Sequence, residues 1–187
     1  MRTVDQVIAE DVPQALRRFM RDCCGIAAES LQPLPGTGMP EPEHKLLVHA
    51  QDMTSTLSAF HGSALHVDVL RCQQNQELYL REVFLRTQTG RLAEYGVIAI
   101  ALDQFTAPQR AMIEAGRVPL GALLHQFQIP FVSAPMSYFS VKAEELALTL
   151  MRPPARTTCH GRFNRLTKPT GEPLAWILEI LPAAAGR

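Results

Sequence analysis

The sequence predicts an α+β domain: a single antiparallel β-sheet of about six strands with flanking helices. Three observations predict it. Residues 64–102 break into three alternating or apolar runs joined by short turns, and neighbours so connected must pair antiparallel. Residues 157–182 form another such pair around a turn rich in Pro and Gly. Helical spacing collects elsewhere: before residue 31, around 52–62 and between 106 and 127.

In Thr3–Leu31 the residues Val4, Val7, Ile8, Val12, Leu16, Phe19 and Met20 recur at three- and four-residue spacing, the mark of a helix. Pro13 is expected to open a second helix, with Asp11 as its cap. Gln32–Glu43 carries Pro33, Pro35, Gly36, Gly38, Pro40 and Pro42, a density of breakers that predicts a surface loop or linker. The chain therefore divides into an N-terminal helical segment with its linker, 1–43, and an α+β domain, 44–187.

Asp52 or Thr54 can cap a short helix through Phe60, ended by Gly62. Ala64–Cys72 alternates, with Leu65, Val67 and Val69 on one face, and reads as a strand. Glu77–Thr87 is a second strand. After the Gln88-Thr89-Gly90 turn, Leu92–Leu102 is a third, apolar enough to be buried on both faces. Asp103 or Thr106 caps a helix over Pro108–Ala115, closed by Gly116, and Pro119 opens another to about Phe127. Ser137–Val141 resembles a strand, and Glu144–Met151 suits either helix or strand. Thr157–Thr167 and Leu174–Leu181 complete the pattern as a hairpin ended by Pro182.

Composition narrows the function classes. Lys+Arg and Asp+Glu are both 18, so no basic excess favours a nucleic acid or a membrane surface. The longest apolar stretch, Gly96–Leu102, is too short to span a bilayer. Asp5, Glu10 and Asp11 interrupt any secretory leader, and Cys23, Cys24, Cys72 and Cys159 form no C-x-x-C pair. A cytoplasmic protein with reduced thiols is expected. The six histidines show no metal-ligand spacing with acidic residues, and Cys159-His160 would point to opposite faces of a strand. No metal site is expected.

Two charges stand out against this background. On Glu77–Thr87 one face carries Tyr79, Arg81, Val83 and Leu85, the other Leu80, Glu82, Phe84 and Arg86. Both faces are largely apolar, so at least one charge of Arg81-Glu82 must lie inside or near an edge. Glu179 shares its face with Ala175, Ile177 and Leu181, a lone carboxylate in an apolar strand. An isolated buried ion costs several kcal/mol, so each needs a partner. Pattern alone leaves two readings open. The charges are structural salt bridges, with Arg162 or Arg165 on the adjoining strand as partners for Glu179. Alternatively a cavity between them takes a ligand, the arginine fork matching a carboxylate and the buried glutamate handling a proton.

Around these residues the sequence resembles the bacterial chorismate lyases. Tyr79-Leu80-Arg81-Glu82-Val83-Phe84-Leu85 resembles their W-L-R-E-[IV]-x-L strand, and Asp52-Met53-Thr54 their D-x-M-T helix start. Gly116-Arg117-Val118-Pro119-Leu120-Gly121 is similar to G-x-x-P-L-G, and Gly161-Arg162-Phe163-Asn164-Arg165-Leu166 to G-R-R-S-R-L. The run from Lys168 through Glu179 to Pro182 resembles the family's K-P-L-x-L-x-E-x-F-L-P ending. The motifs keep their order from Leu46 to Pro182.

The resemblance implies a closed internal site without metal or organic cofactor, and an activity that removes pyruvate from chorismate to leave 4-hydroxybenzoate. By matching position, Arg81 and Glu179 are the implied catalytic residues. Arg81 holds the ring carboxylate with help from the backbone at Met53, and Glu179 faces the ring hydroxyl. Leu120 closes the pocket, and Arg162 and Arg165 are further candidate contacts for a small carboxylic acid. One departure is plain: where the family usually carries a second arginine, this chain has Val97. A diverged enzyme acting on another small acid, or a non-catalytic small-acid binding module, are the alternatives.

Overall fold

Two groups of three long strands account for most of the architecture. The computed structural model describes residues 4–75, 77–143 and 158–182. Strand β1 (Gln32–Pro33) is only two residues long. The first meander is β2 (Leu65–Gln74), β3 (Leu78–Thr87) and β4 (Leu92–Ala101); the second is β5 (Val132–Lys142), β6 (Thr158–Thr167) and β7 (Pro173–Leu181). All pairings are antiparallel, in the order β1-β5-β6-β7-β4-β3-β2. The last strand of each meander joins the other at the centre of the sheet, through β4 and β7. This seven-stranded sheet is the predicted one with β1 added at the edge.

Local chemistry sets the ends of the elements. Helix α4 (Met53–His61) starts where the Asp52 carboxylate accepts from the Ser55 N–H at 2.8 Å, and it stops at Gly62, whose φ of 59° suits glycine. Helix α5 (Ala107–Glu114) starts where the Gln109 side chain accepts from the Thr106 N–H at 2.9 Å. Helix α6 (Leu120–Gln126) follows Pro119.

The N-terminal stretch differs from a plain pair of helices. It folds as α1 (Val4–Glu10) and α2 (Gln14–Arg18), continues as a π turn over Phe19–Cys23, and ends with a 3-10 turn at Ala28–Ser30. Pro13, not Asp11, occupies the cap position of α2, and no side chain caps it. The expected apolar stripe is nonetheless buried throughout, from Val4 to Met20. It packs on Leu80, Phe84, Tyr95, Val97, Leu178 and Ile180, all on one face of the sheet. The Pro-rich stretch is tied down as well: the Leu34 N–H donates to the Tyr138 carbonyl at 3.1 Å, and Met39 is buried with Leu46, Leu47 and Met53.

The opposite face is covered by α3 (Glu43–Leu47), α4, α5 and α6, and carries the second and third core clusters. The sheet is thus the middle of three layers, and β3 and β4 are buried on both sides. The expected strand Ser137–Val141 lies inside the longer β5. Glu144–Met151 lies outside the described residues. Among the described residues no helix is long and apolar enough to cross a membrane.

Candidate functional site

Strand register decides which side chains meet. On the helix-covered face one cross-strand row runs Arg81, Ile98, Ile177, Asn164 across β3, β4, β7 and β6. The next row runs Val83, Gly96, Glu179, Arg162, and beyond it Leu85 stands opposite Glu94. Gly96 leaves the floor open: a Cβ there would lie 3.3 Å from Glu94 Oε1 and 3.3 Å from Val83. Over this floor come the first turns of α4 and α6, which bring Met53, Thr54, Pro119, Leu120 and Gly121. The two helix starts approach closely because position 121 has no side chain; a Cβ would lie 2.9 Å from Asp52 Oδ1. Asp52 also meets His125 Nε2 at 3.2 Å, which ties α4 to α6.

The cavity so formed has about 50 Å³ open to water centres. That is space for on the order of four waters, the scale of one small molecule rather than a polymer. Arg81, Glu94, Asn164 and Glu179 supply polar groups to its wall among apolar residues.

The two charges singled out in the sequence have different fates. Glu179 is 2% exposed and its Oε2 accepts from Arg162 Nε. Arg162 is fully buried and also donates from Nη1 to the carbonyls of Leu47 and His49, each at 2.9 Å, and from Nη2 to that of Gln51 at 3.3 Å. This is the salt-bridge reading, realised with Arg162. The arginine is a clamp between β6 and the loop before α4, so its donors are engaged by the protein itself and not left for a ligand.

Arg81 is equally buried, at 2% exposed, yet no carboxylate among the described residues lies within ion-pair distance. Its one hydrogen bond is long, Nη1 to the Ile113 carbonyl at 3.4 Å, and Nε has no partner. Burial pushes its pKa down from the ordinary arginine value. A guanidinium nevertheless keeps its proton at neutral pH, so the group remains a buried cation facing a cavity. Its sequence neighbour Glu82 is also buried, on the other face. There the Tyr95 hydroxyl donates to Oε1 at 2.9 Å and Arg71 Nε lies 3.5 Å from Oε2.

Met53 and Leu120 line the cavity. Arg165 does not reach it. It lies between Asn164 and Leu166, which both face the cavity, so its own side chain projects from the opposite face. Val97 likewise points to the N-terminal layer and is wholly buried there; the cavity-facing residues of β4 are Glu94, Gly96 and Ile98.

Glu94 is the residue the strand pattern does not single out. It is 3% exposed, its Oε2 has no hydrogen-bond partner, and it is the one charged side chain in Leu92–Ala101. Burial first, then the neighbouring Glu179, pushes its pKa well above the ordinary carboxylate value, and Arg162 opposes that only in part. The argument that marks Glu179, a lone carboxylate in an apolar strand, marks Glu94 equally well. Asn164 was reachable only through register; its Nδ2 donates to Ser133 Oγ at 3.0 Å. Among the described residues no three His, Cys, Asp or Glu side chains gather as a metal site.

No protein-family model matches the sequence, and no curated protein matches it. Solved structures do resemble the fold. Gene product SA0254 from Staphylococcus aureus superposes with a TM-score of 0.52 at 9% identity, over 72% of this chain and 90% of that one. PhnF from Mycobacterium smegmatis gives a TM-score of 0.52 at 13% identity, over 97% of this chain and 86% of that one. The possible transcriptional regulator YydK from Bacillus subtilis gives 0.48 at 9% identity, over 97% and 84%. At such identities the likeness is one of fold, and the fold is the chorismate lyase-like α+β arrangement.

Proposed function

We propose that the cavity binds a small aromatic carboxylic acid with its carboxylate on Arg81, and that the activity is of the chorismate pyruvate-lyase kind. The observation that carries this reading is the buried, unpaired guanidinium of Arg81. An anion that forks onto its free N–H groups would remove the cost of burying it. The Met53 N–H, in the first turn of α4, has no intrahelical acceptor, which supports a part for it in holding the carboxylate.

The chemistry asks for few groups. The carbon–oxygen bond to the enolpyruvyl group breaks, a ring proton passes to the departing enolpyruvate as it becomes pyruvate, and the ring turns aromatic. Aromatisation supplies the driving force, so holding the substrate correctly and handling one proton provide the catalysis. Glu179 and Glu94, toward the other end of the cavity, are the groups able to meet the ring hydroxyl.

A second reading, a non-catalytic binding module for a monocarboxylic acid, is favoured by one observation. Arg81 is the only arginine or lysine on the cavity wall among the described residues, while chorismate carries two carboxylates.

Incubation of the purified protein with chorismate, followed by 4-hydroxybenzoate absorbance and by calorimetry with 4-hydroxybenzoate, separates the two. Product formation that disappears in Arg81→Ala supports the lyase. Tight 4-hydroxybenzoate binding without turnover supports the binding module. Activity or binding undiminished in Arg81→Ala would place the site elsewhere.

A further inference from the structure

One extra residue in the edge strand decides what stands beside Arg81. Val69 pairs with Val83 and Arg71 with Glu82, so Leu70 is a bulge in β2. In an unbroken ladder Arg71 would stand opposite Arg81, two like charges face to face. The bulge instead sets Arg71 against Glu82 on the far face, Nε to Oε2 at 3.5 Å, and Cys72 against Arg81 on the cavity face. Cross-strand partners have Cβ atoms about 4.5–5.5 Å apart, within reach of each other's side chains. The Tyr79 hydroxyl shares this corner: burial first, then the Cys72 thiol, pushes its pKa up, and Arg81 opposes.

Cys72 is also the one exposed cysteine; Cys24 and Cys159 are buried and Cys23 is half-buried. It lies at the seam between β2 and the C-terminal end of α5. On one side Val69 meets Gly116, where an added Cβ would come within 2.8 Å of the valine. On the other the Gln74 amide donates to Glu114 Oε1 at 3.1 Å. Between these contacts the thiol is open to solvent, and its strand partner is a guanidinium whose Nε has no hydrogen bond.

We propose that Cys72 is an oxidation site, and that its sulfinate supplies Arg81 with the counter-ion that the fold withholds. A hydroperoxide is the oxidant. The sulfur attacks one peroxide oxygen, the O–O bond breaks, and a sulfenic acid forms as the other oxygen leaves as water. A second hydrogen peroxide adds another oxygen in the same way, and the sulfinic acid releases its proton to become an anion. In each step the sulfur gives up one electron pair and one peroxide is reduced. Exposure admits the oxidant, and the pairing with Arg81 favours the anionic product. One guanidinium fork cannot serve two anions, so oxidation closes the cavity to a carboxylic acid. That last effect rests on the carboxylate placement at Arg81 argued above; the modification itself does not.

Peptide mass mapping of the full chain after hydrogen peroxide treatment is expected to find two added oxygens on Cys72 before any other cysteine. Oxidation elsewhere with Cys72 intact overturns the inference. Cys72→Asp reproduces the length and charge of the sulfinate, and Cys72→Ser is the neutral control. The aspartate variant should melt about 3 °C above the serine variant, and this difference should vanish in an Arg81→Leu background. The same difference in both backgrounds, or none in either, overturns the pairing. In calorimetry 4-hydroxybenzoate should bind Cys72→Asp about tenfold more weakly than Cys72→Ser; equal affinity overturns the closure of the cavity. Failure of 4-hydroxybenzoate to bind the untreated wild type overturns the Arg81 reading and the closure with it, while the mass and melting results still decide the modification.

Discussion

Arg81 and Arg162 are both arginines on one face of the same sheet and both almost wholly buried, yet they live in opposite electrostatic circumstances. Arg162 has a carboxylate on Nε and carbonyls on both terminal nitrogens. Arg81 has one long hydrogen bond to a carbonyl. The first arrangement is what a buried ion needs for stability, since every lost water contact is replaced. The second is what a buried ion needs for recognition, since the missing partner is left for a ligand to supply. One residue type at equal burial thus divides into a cation that the protein satisfies and one that it leaves short of partners among the described residues, and on that division the proposed roles rest.

The largest expected effect breaks the structural side. Arg162→Ala leaves Glu179 as a buried charge and strips three carbonyls of their donor. It should cost about 3–5 kcal/mol in urea denaturation; a loss below about 1 kcal/mol would show that the clamp carries no stability. The functional side should respond the other way. Arg81→Leu should weaken 4-hydroxybenzoate binding about a hundredfold, while its unfolding free energy stays level or rises by about 1 kcal/mol. A substantial loss of stability there would mean that Arg81 has a structural partner after all.

The smallest effect sharpens the comparison at Glu94, the carboxylate without a cation of its own. Its pKa in the folded chain is pushed well above the ordinary value of 4.5, by burial and then by Glu179. The folded chain therefore holds a proton that the unfolded chain releases. The resulting stability is full below the unfolded value and declines as pH rises from there toward the raised folded value. Glu94→Gln removes that proton exchange, so its stability should fall less than the wild type's as pH is raised from about 5 to about 8. Parallel pH profiles for the two proteins would assign Glu94 an ordinary titration.

Much of the fold was legible because its signals are local. Alternation in Ala64–Cys72, the apolar run in Leu92–Leu102 and the turn at Lys168–Pro173 each mark an element within a few residues. The π turn at Phe19–Cys23 and the two-residue β1 were not legible, because packing and a distant strand impose them. The candidate site was half legible. Arg81 and Glu179 are conspicuous in apolar strands, and Met53 and Leu120 follow from the family motifs. Glu94 escaped because its run reads as apolar, and Arg165 stands beside Arg162 as an expected partner for Glu179 or contact for the acid although strand alternation sends the two arginines to opposite faces.

What the sequence by itself determined is which segments form strands and helices, and that charged groups are buried in two of those strands; side-chain period and hydrophobicity are properties of single segments. Only the tertiary structure decided who faces whom. Register set Glu179 against Arg162 and left Arg81 opposite Ile98, and the close approach of α4 and α6 at Gly121 roofed the space between. The physical reason is that an ion's role depends on the charges within a few ångströms, and those charges come from residues up to about a hundred positions apart in the chain.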